Sequence, residues 1–219
     1  MAKKIGVVLS GCGVMDGSEI HESVLTLLAI DHAGGEAVCM APNIKQQHVI
    51  NHLTGEESTG EARNVLTESA RIARGKIRDV AGVKAGEVDA LIFPGGYGAA
   101  KNLCDYAFKG PECTVNPDVA RLAWEVHAGK KPIGVVCIAP ALAAKLFGAE
   151  HPRITIGTDK NTAKDIEKMG AKHVACPVTE FVVDKEHKLV STPAYMLARS
   201  VAEAAEGIEK LVRAVIELA

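Results

Sequence analysis

Aromatic side chains are scarce in this chain: one Trp, three Tyr and four Phe among 219 residues. The core must therefore be largely aliphatic, and little is on offer for stacking nucleic-acid bases. An excess of one charge is also missing. Lys and Arg number 25 against 27 Asp and Glu, the net charge is −2, and no long block of one sign occurs. This leaves no electrostatic ground for nucleic acid or an anionic membrane as partner. No apolar run approaches the ~18 residues of a spanning helix. The opening run ends at Ser10 without a cleavage-like pattern, so a cytoplasmic location is expected. The six cysteines (12, 39, 104, 113, 137 and 176) are scattered through a chain too long to need stapling, and free thiols in a reducing compartment are the default. A P-loop and an internal repeat are absent.

Apolar residues make up 47% of the sequence, enough for one aliphatic core, and residues 1–219 read as a single domain. Buried strands are expected at 4–9, 36–40, 90–93 and 132–136, with shorter ones at 76–80 and 154–156 and a pair near 181–183 and 189–191. Helices are expected from Asp16 or Ser18 to about Ala33, and over 61–74, 116–128 and 162–169, with a long closing helix from about Tyr195. Residues 44–60 are polar and ambiguous. Strands alternate with helices and mostly carry fully apolar runs. This predicts an α/β fold with a largely parallel sheet covered by helices on both faces.

The chemistry gathers where Pro132–Val136 runs into the helical pattern of Ala141, Leu142, Lys145 and Leu146, which puts the turn on Cys137 or Ile138. A side chain on such a nucleophile elbow is presented at the carboxyl edge of the sheet, beside a helix N-terminus that lowers a thiol pKa. Pro94-Gly95-Gly96 follows another buried strand. The backbone N–H groups of Gly96 and Ile138 are candidates for an oxyanion hole. Glu19 and Glu22 lie three apart on one side of the first helix. Glu19 suits plain complementation of the helix dipole, whereas Glu22, deeper in, is less well explained that way.

Two other signals are weak. The loop Gly11-Cys12-Gly13-Val14-Met15-Asp16-Gly17 resembles a dinucleotide fingerprint, but its last glycine is one position late and no clear acidic residue ends the second strand. His48 and His52, four apart with Glu56 and Glu57 following, make zinc conceivable, but the His-Glu-x-x-His order is absent. No metal and no cofactor are expected.

Taken together, Gly11–Val14, Asp16–Glu22, Asn51–Glu56, Pro94–Leu103, Cys137–Ala141, Ile156–Asp159 and Thr192–Ala198 resemble the PfpI superfamily of class I glutamine-amidotransferase-like proteins, over nearly the whole chain. That superfamily includes the Parkinsonism-associated deglycase and a branch described as a glyoxalase. The resemblance implies a flavodoxin-like three-layer sandwich, a nucleophile at Cys137, a partner glutamate at Glu22 and a homodimer. It implies a small dicarbonyl such as glyoxal as substrate, converted without a cofactor. Relatives with a catalytic histidine carry it where this chain has Gly157, and the nearest candidate is His151. A glutaminase-type triad is therefore not expected, since acyl transfer by a thiol needs a base or relay in reach. The alternatives are a protein deglycase and a redox-sensing or chaperone-like protein with an oxidisable Cys137.

Overall fold

The computed structural model describes residues 2–219. In chain order the elements are β1 Lys4–Val8, α1 Ile20–His32, β2 Glu36–Ala41, β3 Ile50–Asn51, β4 Glu56–Glu57, α2 Val65–Ile72, β5 Arg78–Asp79, β6 Ala90–Phe93, α3 Tyr97–Lys101, α4 Tyr106–Lys109, α5 Pro117–Ala128, β7 Ile133–Val136, α6 Pro140–Phe147, β8 Arg153–Ile154, α7 Lys160–Lys168, β9 Lys172–His173, β10 Val182–Asp184, β11 Leu189–Thr192 and α8 Val201–Leu218. Seven strands form one sheet in the order β10-β11-β7-β6-β1-β2-β5. Every pairing is parallel except the edge pair β10 and β11. Strands β6 and β7 are buried along their whole length, which explains their continuous apolar text.

One face of the sheet is covered by α1, α2 and α8, whose Ile30, Val65, Ile208 and Leu211 meet Ile5, Val7 and Ile92. The other carries α5 and α6, whose Leu122, Val126 and Leu142 meet Leu91, Phe93 and Val135. Burying each such side chain contributes roughly 1.5–3 kcal/mol. The expected α/β sandwich with helices on both faces is thus present.

Several expected boundaries move. The helix expected over 61–74 spans only Val65–Ile72, because Asn64 caps it by accepting from the Thr67 N–H at 3.0 Å. The expected strand 154–156 is β8, paired with β9 in a separate two-stranded ribbon and not in the main sheet. The closing helix begins at Val201 with Ser200 as its cap, not near Tyr195, where a single 3-10 turn over Ala194–Met196 stands instead. Residues 50–57 form a short antiparallel hairpin of β3 and β4.

The chain runs from β1 outward through β2 to β5, then returns to β6 on the other side of β1. Such a reversal leaves a crevice beyond the carboxyl ends of the strands, where open α/β sheets bind ligands. The loops after β1, β6 and β7, three adjacent strands, all open there.

Candidate active site

Cys137 follows β7 directly and has φ +60°, a left-handed conformation that a residue with a side chain adopts only where its surroundings hold it. Its N–H still donates to the Thr192 carbonyl at 3.0 Å, extending the pairing of β7 with β11, and α6 starts at Pro140. This is the expected elbow. The side chain forms the floor of a pocket of about 410 Å³.

Glu22 arrives from α1 and has no exposed surface. One carboxyl oxygen accepts from the Gly95 N–H at 2.9 Å and the other from the Tyr195 N–H at 3.1 Å. The Cys137 side chain lies beside the same carboxyl: a Cβ at Gly95 would stand 2.6 Å from Glu22 Oε2 and 2.5 Å from Cys137 Cβ. Burial raises the Glu22 pKa to about 7, the neighbouring Glu19 adds to the rise, and Tyr195, Cys137 and Gly95 work against it.

The thiol departs from expectation. Burial, and then the Glu22 carboxylate, push Cys137 well above the ordinary thiol range, while hydrogen bonds from the Gly96 and Ile138 N–H groups pull the other way. A thiolate made by a helix terminus alone is therefore corrected to a buried, protonated thiol beside a buried carboxyl. The two N–H groups expected to face a reacting oxygen sit beside the sulfur.

Gly96 is fixed by its surroundings. At φ +91°, a Cβ there would stand 2.3 Å from the Glu19 nitrogen and 2.6 Å from the Gly17 carbonyl oxygen. The neighbouring N–H groups of Tyr97 and Gly98 donate to Val14 and Gly17 at 2.8 Å each. Gly17 of the glycine-rich loop after β1 thus packs against the Gly95–Gly98 turn, while a Cβ at Gly11 or Gly13 would meet Gln46 or His52.

The remaining candidates separate. Glu19 lines the pocket and caps α1, accepting from the Glu22 N–H at 2.6 Å. His151 is excluded from the site: it precedes β8, is exposed, and its Nδ1 lies 2.7 Å from the Gly170 carbonyl oxygen. A histidine at Gly157 would be strained, since φ is +87° and a Cβ would stand 2.7 Å from Leu197 Cδ1. His52 accepts from the Met15 N–H at 3.2 Å through Nε2 and donates to the Ile50 carbonyl at 3.0 Å through Nδ1, so both ring nitrogens are occupied. Among the described residues no group of three or more His, Cys, Asp or Glu side chains is arranged to hold a metal ion.

The sequence reading missed Tyr195, Tyr97, Tyr106 and Asp159, all of which line the pocket. Tyr195 offers its N–H to Glu22 because Ala194, at φ +42°, turns the chain back toward α1. Its hydroxyl lies 2.8 Å from His21 Nδ1. The only signal was the Thr192-Pro193-Ala194 text, whose proline marks a turn just ahead of the expected helix.

No family model matches the chain. A human protein named glutamine amidotransferase-like class 1 domain-containing protein 3, mitochondrial, is 48% identical over 99% of this chain and 84% of its own length. The chain belongs to the glutamine amidotransferase-like class 1 domain family. A solved structure from Ehrlichia chaffeensis, titled an isoprenoid biosynthesis protein with amidotransferase-like domain, is 39% identical with a TM-score of 0.92 and covers 99% of each chain. A glyoxalase III from Candida albicans shares the fold of this amidotransferase-like chain at 14% identity, a TM-score of 0.62 and 97% of each chain. The cytoplasmic expectation is corrected here. The human family member, and the rat and zebrafish ES1 proteins that also match, are all named mitochondrial. The expectation rested on the lack of an apolar span, and that lack does not distinguish one aqueous compartment from another.

Proposed function

We propose that this chain is a cofactor-independent glyoxalase, a lyase of the kind represented by the enhancing-lycopene-biosynthesis protein ElbB, that converts glyoxal to glycolate. The observation that carries the reading is the Cys137 thiol in the floor of an open pocket, with the fully buried Glu22 carboxyl, poised at about 7, beside it. An acid–base group is most effective when its pKa lies near the working pH. The Cys137 sulfur adds to one aldehyde carbon of glyoxal and its proton ends on the new hydroxyl, giving a hemithioacetal. Glu22 takes the proton from that carbon and returns it to the neighbouring one, so that an enediol becomes the glycolyl thioester. Water then cleaves the carbon–sulfur bond, releasing glycolate and restoring the thiol. The Gly96 and Ile138 N–H groups hold the negative charge that develops on oxygen.

The fold shared with a protein titled glyoxalase III supports this assignment. The glycine at position 157 and the placement of His151 outside the site weigh against glutaminase chemistry. We also propose that the protein is a homodimer. Ile20, Val24 and Leu28 support this, forming an exposed apolar stripe along α1 at i, i+4 and i+8.

The test is product analysis of the purified chain with glyoxal, methylglyoxal and glutamine, beside Cys137→Ala and Glu22→Gln. Glycolate should form from glyoxal, and each variant should lose roughly 10²-fold or more in rate. Full turnover in Cys137→Ala, or release of ammonia from glutamine alone, would sink the assignment.

A further inference from the structure

Glyoxal fills little of the pocket it is assigned. About 410 Å³ is available above Cys137, room for about a dozen waters at ~30 Å³ each. The chain has only three tyrosines, and all three, Tyr97, Tyr106 and Tyr195, line this one pocket. Two carboxyl groups line it as well, those of Glu19 and Asp159, and no Lys or Arg does. Asp159 is fixed in place as the cap of α7, accepting from the Thr162 N–H at 2.7 Å, and those bonds hold its carboxyl below the usual range. One ring already has a cation: Lys101 Nζ stands over Tyr97, 5.2 Å from the centre of the ring, and donates to the Met15 carbonyl at 3.0 Å. The rings of Tyr106 and Tyr195 and the Asp159 carboxylate line the same cavity and together favour a positive charge, the rings through their quadrupole and the carboxylate through its own field.

We propose, resting on the glyoxalase reading above, that the pocket takes α-oxoaldehydes larger than glyoxal whose tail carries a cation, seated among Tyr106, Tyr195 and Asp159, and that it turns away anionic ones. The dicarbonyl end then reaches Cys137 while the charged end stays at the rim. Asp159 acts here on specificity, through the tail and not through the reacting carbons.

Two measurements on the full chain test this, and they fail separately. The first compares kcat/KM for phenylglyoxals carrying a para-trimethylammonium or a para-carboxylate group. The second compares the rates at which cationic and anionic alkyl methanethiosulfonates of equal length modify Cys137. In that reaction the sulfur displaces methanesulfinate and forms a mixed disulfide, so no turnover is needed. Each rate is divided by that of a free thiol in solution. We expect the cationic member of each pair to be favoured by about tenfold at low salt. Asp159→Asn, which keeps the helix cap and removes only the charge, should lower that ratio by about threefold, and added salt should do the same. Equal rates for the two charges, or a ratio that Asp159→Asn leaves unmoved, would overturn the inference while leaving glyoxal turnover intact. A preserved charge ratio with no turnover of any dicarbonyl would overturn the glyoxalase reading and leave the pocket's preference for cations standing.

Discussion

Glu22 makes the fold's stability depend on pH in an unusual direction. Its carboxyl titrates near 4.5 when solvated and near 7 in the native protein. Between those values the unfolded chain has released the proton and the native chain still holds it. The native state therefore binds more protons, and stability falls as pH rises. The contribution is complete below the unfolded value and is lost as pH climbs through about 7, opposite to the usual behaviour of a salt-bridged carboxylate. At 1.36 kcal/mol per pKa unit the loss is about 3 kcal/mol, with no discount for solvent screening, because the side chain has no exposed surface. Glu22→Gln removes the titration. It also leaves the Gly95 or Tyr195 N–H without an acceptor, a cost of roughly 1–3 kcal/mol that does not vary with pH. Urea unfolding of both proteins from about pH 4 to about pH 7.5 separates the two effects. The stability of wild type minus that of the variant should fall by about 3 kcal/mol across the range, whatever the other carboxylates do. Parallel curves would mean that this carboxyl is not desolvated, and the assigned proton shuttle would lose its basis.

Gly96→Ala should cost more than about 3 kcal/mol, because the added Cβ meets the backbone of Glu19 and Gly17 at a positive φ. An unchanged urea midpoint would show that the turn is not pinned there. Val24→Lys places a charge in the middle of the exposed α1 stripe and should shift the protein from dimer to monomer in light scattering at micromolar concentration. A variant that stays dimeric would move the interface elsewhere, and a monomeric wild type would remove it altogether.

Local pattern was enough to place several features. The collision of a buried strand with a helix placed the elbow at Cys137, since strand and helix periods cannot overlap for more than a residue or so. Glycines after β6 marked a backbone able to come close to a reacting oxygen, and the short spacing of Glu19 and Glu22 put both carboxyls on one side of α1. Sheet class and the layers of helices followed from apolar runs and their alternation. Three-dimensional packing decided the rest. It brought Tyr195 to Glu22 from the far end of the chain, gathered the three tyrosines and Asp159 over one pocket, and left His151 elsewhere. It also reversed the expected ionisation of the thiol. A pKa depends on what surrounds a group after folding, and burial beside the Glu22 carboxyl outweighs the pull of a helix end. Spacing along a chain governs neighbours within a turn or a strand, whereas burial and partners across the sheet depend on which strand edges meet.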